Sequence, residues 1–168
     1  MALSGFNHSV QWNEFRTVNQ RPAGVQEDAQ IKTRTVAFTF RTHQPSGQNC
    51  RVTSATVSIA VDRSRTWVVR GRQSADLLQH EQGHYDIAAL ATRDLYNQVL
   101  GLTAARCADI NTQAGRLQQQ IQTQITQTDR RYDTQTSHGT TPASQRTWNT
   151  RIQSAKQNPN GTLTDLPQ

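Results

Sequence analysis

The fold and function of this chain centre on one stretch, His80-Glu81-Gln82-Gly83-His84, which is an HExxH motif. It lies within residues 74–100, where apolar side chains recur at the spacing of an amphipathic helix. Two histidines four residues apart stand one above the other on a helix and can bind one zinc ion. Glu81 would then face the zinc-bound water as general base. The motif predicts a zinc hydrolase, against the plainer alternative of a surface helix with incidental histidines.

The motif falls on the side of this helix that we expect to be buried. The apolar stripe and the motif residues on it are Leu77, His80, Glu81, His84, Ile87, Ala88, Ala91, Leu95 and Val99. A metal site needs shielded and rigid surroundings, so this placement favours a site over a solvated surface. Gly83 costs a helix about 1 kcal/mol relative to Ala. Gly83 is either simply tolerated or lets a strand or the substrate approach closely.

The rest of the chain predicts an α+β domain. Residues 30–41 and 51–61 alternate apolar and polar side chains, and residues 65–70 follow after a short connection, which favours antiparallel pairing. Residues 103–132 and 142–155 predict further helices. We therefore expect a single zincin-like domain over residues 1–155, in which a small, mainly antiparallel sheet packs on the HExxH helix and the further helices. Residues 156–168 are expected to be a flexible C-terminal tail.

Charge and hydropathy limit the partners. The net charge is +6, but the basic residues are scattered rather than clustered with aromatic residues, so we expect no nucleic acid. No apolar run reaches the roughly 20 residues of a membrane span. Residues 1–10 lack the pattern of a signal peptide, and we favour an exported protein whose leader has been removed over a cytoplasmic one. The expected partner is a protein or peptide substrate, and the expected state is a monomer.

The two cysteines, Cys50 and Cys107, lack the paired spacing of a structural zinc site. One disulfide in an exported protein and two thiols in the cytoplasm are both compatible with the sequence. We favour the disulfide, because no other feature of the chain accounts for these residues.

The third zinc ligand is less clear than the first two. Catalytic zinc usually has three protein ligands and a water. An HExxHxxGxxH motif is absent because Ile87 and Leu90 occupy its Gly and His positions, and no Glu follows Glu81. Asp94 would lie about 15 Å further along the same helix, which is too far. The remaining candidates are Asp109, Asp129, Asp133 and His138. His138 is the best of these by ligand type, because it is an imidazole in a loop that can bend back.

Two blocks of sequence resemble the bacterial DUF922 family of predicted zinc-dependent proteases. The first is Leu77-Leu78-Gln79-His80-Glu81-Gln82-Gly83-His84-Tyr85-Asp86-Ile87, followed by Arg93. The second, looser block comprises Tyr132, Asp133, Thr136, His138 and Gly139, followed by Gln145 and Trp148. Residues 12–15 and 64–68 also fit the general pattern of the family.

The resemblance implies a zincin-type metallopeptidase with His138 as the third zinc ligand. On that basis Asp133 would accept a hydrogen bond from the distal ring nitrogen of a zinc-bound histidine and fix its orientation. Tyr132 would donate a hydrogen bond to the oxyanion of the reaction. The structural alternative for this pair is a helix end with an Asx-type turn.

We therefore expect a zinc-dependent metalloendopeptidase. Zinc held by His80, His84 and His138 would lower the pKa of its water from about 15.7 toward about 7, and Glu81 would transfer the proton to the leaving amine. The substrate would add to an edge strand, for which residues 65–70 are a candidate. The alternatives are a zinc hydrolase acting on a non-peptide amide bond, a structural metal site and a non-catalytic zincin-fold binding module. Glu81 argues against the last, because a binding module needs no general base.

Overall fold

The computed structural model describes residues 2–168, which form seven strands and three α-helices. The strands are β1 (Ala2–Ser4), β2 (Arg16–Val18), β3 (Ala29–Gln30), β4 (Thr33–His43), β5 (Cys50–Val61), β6 (Trp67–Val69) and β7 (Thr103–Ala104). The helices are α1 (Ala75–Leu100), α2 (Cys107–Thr136) and α3 (Pro142–Gln157), with short 3-10 turns at Trp12–Glu14 and Leu163–Asp165. The fold is therefore α+β. No helix within residues 2–168 combines the length and hydropathy of a membrane span.

The strands form two mixed sheets rather than one mainly antiparallel sheet. In the larger sheet, β5 pairs in parallel with β1. It also pairs antiparallel with β4 along its length and antiparallel with β7 at its start. In the smaller sheet, β6 lies between parallel β2 and antiparallel β3. The expectation that residues 65–70 offer a free edge is therefore wrong, because both sides of β6 are already paired.

Helix α1 is the central element of the molecule. Ser74 caps its start by accepting a hydrogen bond from the Leu77 amide at 3.1 Å, and the helix ends just before Gly101. Its residues 85–93 are all buried. One hydrophobic cluster packs against Ile87, Leu90 and Leu95, and a second contains Tyr85, Ala88 and Ala89. Because α1 is covered on several sides, the motif at its N-terminal half is held rigidly.

Helix α2 begins later than the predicted residue 103. Residues Thr103 and Ala104 pair with the start of β5 instead, and this pairing adjoins a disulfide between Cys50 and Cys107. The disulfide is the one that the sequence analysis favours. It joins the first residue of β5 to the first residue of α2 and so ties the larger sheet to the second helix.

The C-terminal segment is packed, and the expectation of a flexible tail over residues 156–168 is wrong. Helix α3 extends to Gln157, and Leu163 and Leu166 are buried in the main core. Arg93 of α1 donates hydrogen bonds to the backbone carbonyls of Ala155 and Gly161. The domain thus includes the end of the chain, because two leucines and one buried arginine fix that segment to α1.

Candidate metal centre

Helices α1 and α2 bring together three side chains of types that can bind a metal ion. His80 and His84 come from α1 and Asp133 from α2, and one ligand atom of each lies within 4.8 Å of the others. Oδ1 of Asp133 is 3.2 Å from Nε2 of His80 and 2.9 Å from Nε2 of His84. Two atoms bound to the same tetrahedral zinc ion lie roughly 3.3 Å apart. The three side chains are therefore spaced as ligands of a single ion.

The hydrogen bonds of Gln145 define which nitrogen of His80 faces this centre. The Gln145 amide nitrogen donates to the Tyr132 hydroxyl at 2.6 Å and to Oδ1 of Asn149 at 2.8 Å. Both amide hydrogens are thereby used, and the amide oxygen lies 3.1 Å from Nδ1 of His80. Since an amide oxygen can only accept, Nδ1 must donate to it. In the neutral ring, Nε2 of His80 then carries the lone pair that points toward Asp133.

His84 is oriented in the same way by a second aspartate. Its Nδ1 donates to Oδ1 of Asp129 at 2.9 Å, which leaves the Nε2 lone pair directed at Asp133. Two imidazole lone pairs and one carboxylate oxygen thus converge. Three acceptors at these distances repel one another unless a positive charge lies among them, either as protons or as a metal ion.

The acid–base properties of these groups fit that description. Burial disfavours the charged form of His84, but hydrogen bonds to Asp129 and Asp133 outweigh it and raise its pKa well above the usual value. Burial likewise disfavours the Asp133 carboxylate, yet hydrogen bonds with His80 and His84 hold its pKa well below the usual range. Without a metal, these shifts favour a protonated His84 beside an ionised Asp133. A bound divalent cation would supply the positive charge in place of that proton.

Glu81 lines the same small cavity as the three ligands, and the cavity has a volume of about 80 Å³. Its side chain is only 2% exposed, and its Oε2 accepts a hydrogen bond from the Ile31 amide at 2.7 Å. Within residues 2–168 no hydrogen bond occupies Oε1, which leaves that oxygen available to the cavity. Burial raises the pKa of Glu81, although positive charge on His84 and His80 and the Ile31 hydrogen bond counteract part of this effect.

His138 lies in this cavity but outside the group of three converging ligand atoms. Its Nδ1 is 3.1 Å from Oε1 of Glu27 and 3.6 Å from Oδ1 of Asp133, and the side chain is 43% exposed. Among the described residues, the third atom of that group therefore comes from Asp133 and not from His138. The backbone of His138 adopts the left-handed conformation, with φ of 53°, in the turn that ends α2. This turn brings Gly139 against the His80 ring, where a Cβ would lie 2.9 Å from Cγ of His80.

Tyr132 does not occupy the position of an oxyanion donor. Its side chain is fully buried, and its hydroxyl donates to the backbone carbonyl of His80 at 3.1 Å. Its ring stacks on His80 with centroids 4.7 Å apart. Tyr132 also explains Gly83, because a Cβ at that position would lie 2.2 Å from the Tyr132 oxygen. The group that approaches Gly83 is thus a side chain of α2 rather than a strand or the substrate, and the same side chain packs on His80.

A wider groove of about 520 Å³ adjoins the small cavity. The two share Ile31, Lys32, His84, Asp129, Asp133 and His138. One wall is the segment between β3 and β4, and the other is the exposed side of α2 from Gln122 to Thr134. Two of the three side chains of the candidate metal centre, His84 and Asp133, thus also line this open groove.

The residues that orient the two histidine rings were predicted only in part from the sequence. The role expected for Asp133, acceptance of a hydrogen bond from the distal histidine nitrogen, belongs to Asp129 for His84 and to Gln145 for His80. Asp129 and Asp133 lie four residues apart on α2, as the two histidines do on α1. This spacing alone predicts that the two carboxylates share one face of their helix. No sequence pattern pointed to the Ile31 amide, because its contact with Glu81 joins residues 50 positions apart.

Residues 8–139 match the family described as "Bacterial protein of unknown function (DUF922)". The match spans 132 of the 168 residues (139 − 8 + 1) and includes both histidines of the motif, Asp129, Asp133 and His138. The protein therefore belongs to the DUF922 family. Neither a curated protein nor a solved structure matches the chain.

Proposed function

We propose that this protein is a zinc-dependent metallopeptidase. One observation carries the proposal, namely that two imidazole lone pairs and the Asp133 carboxylate converge in the cavity that also holds Glu81. A buried base beside a cation site is the arrangement that hydrolysis of an amide bond by water requires. The HExxH helix and a third ligand from a following helix also support a zincin-type fold.

The residues present fit zinc. Two neutral imidazoles and one carboxylate form an N₂O ligand set, and sets of two His and one carboxylate occur in catalytic zinc sites. His80, His84 and Asp133 would hold the ion, and three protein ligands leave a position open for water and substrate. When bound, zinc would supply a Lewis acid that polarises the substrate carbonyl and makes water more acidic.

Glu81 is the general base in this proposal. It takes the proton from the attacking water and delivers it to the nitrogen of the leaving amine. The Ile31 amide fixes one oxygen of its carboxylate, and among the described residues no hydrogen bond occupies the other oxygen of this cavity-lining side chain. The raised pKa of Glu81 serves this role, because a base whose pKa lies nearer the working pH both accepts and returns a proton efficiently.

Asp129 and Gln145 position the two histidines. Each accepts a hydrogen bond from Nδ1 of one ring and thereby keeps Nε2 directed at the centre. The loss of such a partner typically weakens metal affinity by about 10- to 100-fold.

An extended polypeptide suits the groove better than a compact substrate does. The groove is about 520 Å³, is open to solvent and runs between residues 31–33 on one side and the exposed side of α2 on the other. These features favour hydrolysis of a peptide bond over hydrolysis of an amide bond in a small molecule.

The variant Glu81→Gln tests the proposal because it keeps the shape of the side chain and removes the base. Wild-type protein loaded with zinc should cleave an unstructured protein or a peptide library, and a chelator should abolish the cleavage. Glu81→Gln should retain zinc and lose at least about 100-fold in kcat, the usual contribution of a general base. Zinc-independent cleavage, or full activity of the variant, would refute the assignment.

A further inference from the structure

Both acidic and basic side chains line the groove beside the candidate metal centre. Its two acidic side chains are engaged with the histidines of the motif, Asp133 with both of them and Asp129 with His84. Three basic side chains also line the groove, namely Lys32, Arg65 and Arg130. Apart from the two carboxylates that are engaged with the histidines, the Asp, Glu, Lys and Arg side chains that line the groove are therefore all basic.

Two of these cations lack an acidic partner. Nε of Arg65 is bound to Asp62 at 2.7 Å. Within residues 2–168, neither Lys32 nor Arg130 has an ion pair. Lys32 belongs to the strand-side wall and Arg130 to the α2 wall. A chain lying in the groove would thus meet an unpaired positive charge from either side.

We propose that this groove selects peptides with an acidic side chain close to the cleaved bond. The inference rests on the proposed peptidase function and adds the substrate class. A carboxylate placed between Lys32 and Arg130 would be attracted by both, whereas a basic side chain would be repelled by both. The net charge of +6 adds a long-range attraction for acidic chains.

Matched peptides test the substrate preference. The peptides are identical except for one Glu, Gln or Lys, which is moved through the positions on either side of the cleaved bond. Wild-type protein should prefer Glu over Lys at one of these positions by on the order of tenfold in kcat/KM at low salt. The preference should shrink as salt is added, because both cations are exposed.

Charge reversal at the two cations provides the decisive comparison. The double variant Lys32→Glu/Arg130→Glu should prefer Lys over Glu, and the neutral variant Lys32→Gln/Arg130→Gln should show no preference. The control is Arg116→Glu, an exposed arginine on the same helix, 14 residues from Arg130 and therefore roughly 21 Å away along the axis. The control should keep the wild-type preference.

Binding to zinc-loaded Glu81→Gln separates this inference from the proposed function. Calorimetry with the same peptides should show tighter binding of the Glu peptide, and this difference should disappear with Lys32→Gln/Arg130→Gln. If wild-type protein cleaves peptides without regard to their charge, the substrate class is wrong and the peptidase function stands. If it cleaves none, the peptidase function is wrong, and calorimetry alone decides whether the groove binds acidic peptides.

Discussion

At the scale of single residues, the candidate site depends on one carboxylate oxygen. Oδ1 of Asp133 lies between the Nε2 atoms of His80 and His84, and each ring is oriented from behind by its own acceptor. His138, the ligand expected from the sequence, instead contacts Glu27 at the rim of the cavity. The two assignments make opposite predictions about zinc affinity.

Replacing Asp133 by Asn should weaken zinc binding more than replacing His138 by Ala. Asp133→Asn removes a charged ligand, and we expect a loss of more than the 10- to 100-fold that is typical of an orienting residue. Asp129→Asn provides that reference on the same helix. Zinc affinity can be measured by competition with a chromogenic chelator. A larger loss for His138→Ala than for Asp133→Asn would restore His138 as the third ligand.

Gly83 offers a second test at this scale, because the space for its missing side chain is filled by Tyr132. Gly83→Ala should lower the free energy of unfolding by about 1–3 kcal/mol, the usual result of overpacking, despite the better helix propensity of Ala. Gly115→Ala is the matched control, since a Cβ there would meet nothing within 4 Å. It should stabilise the protein by up to about 1 kcal/mol in chemical denaturation. Equal effects of the two substitutions would mean that Tyr132 does not pack against Gly83.

The residues of the site were predictable only in part. His80, Glu81 and His84 follow from spacing alone, because a helix fixes where its fourth residue stands. The third ligand depends on how α2 packs against α1, and chemical type alone favoured a histidine. The packing places Asp133 at the centre and His138 one turn beyond it. Gln145 was noted only for its place in the DUF922 resemblance, with no role assigned to it. Its contact with His80 joins residues 65 positions apart, which no local pattern predicts.

At the scale of elements, α1 connects the site to the rest of the fold. The long strands and helices were predictable because their apolar periodicity extends over many residues. The short strands β2, β3 and β7 were not, since two or three residues carry no period. The C-terminal segment was mispredicted for a related reason. Its two buried leucines, Leu163 and Leu166, are too few and too isolated to form a pattern.

The packed C-terminus predicts a stability effect that a flexible tail would not show. Leu166→Ala should lower the free energy of unfolding by about 2–5 kcal/mol, because the side chain is 2% exposed and its removal leaves a cavity. The control, Ser154→Ala, changes an exposed position of α3 and should stay within about 0.5 kcal/mol of the wild type. Denaturant unfolding measures both. An unchanged stability of Leu166→Ala would mean that residues 158–168 are not part of the core.

At the scale of the whole molecule, strands of both sheets, helices α2 and α3 and the C-terminal segment pack against α1, and His84 of the motif lines the groove. The class of fold was predictable, whereas the division into two mixed sheets was not, because parallel pairing with β1 and β2 joins strands that are distant in sequence. Membership of DUF922 identifies the family but not the activity. The central claim is therefore that the fold builds a zinc site.

Zinc content and zinc-dependent stability of the purified chain test that claim most directly. We expect one zinc ion per chain by metal analysis. We also expect a rise in unfolding free energy of about 2.7 kcal/mol when free zinc exceeds the Kd by 100-fold. Both effects should disappear in the double variant His80→Ala/His84→Ala. Wild-type protein that contains no zinc and is not stabilised by added zinc would mean that this fold does not build a zinc site.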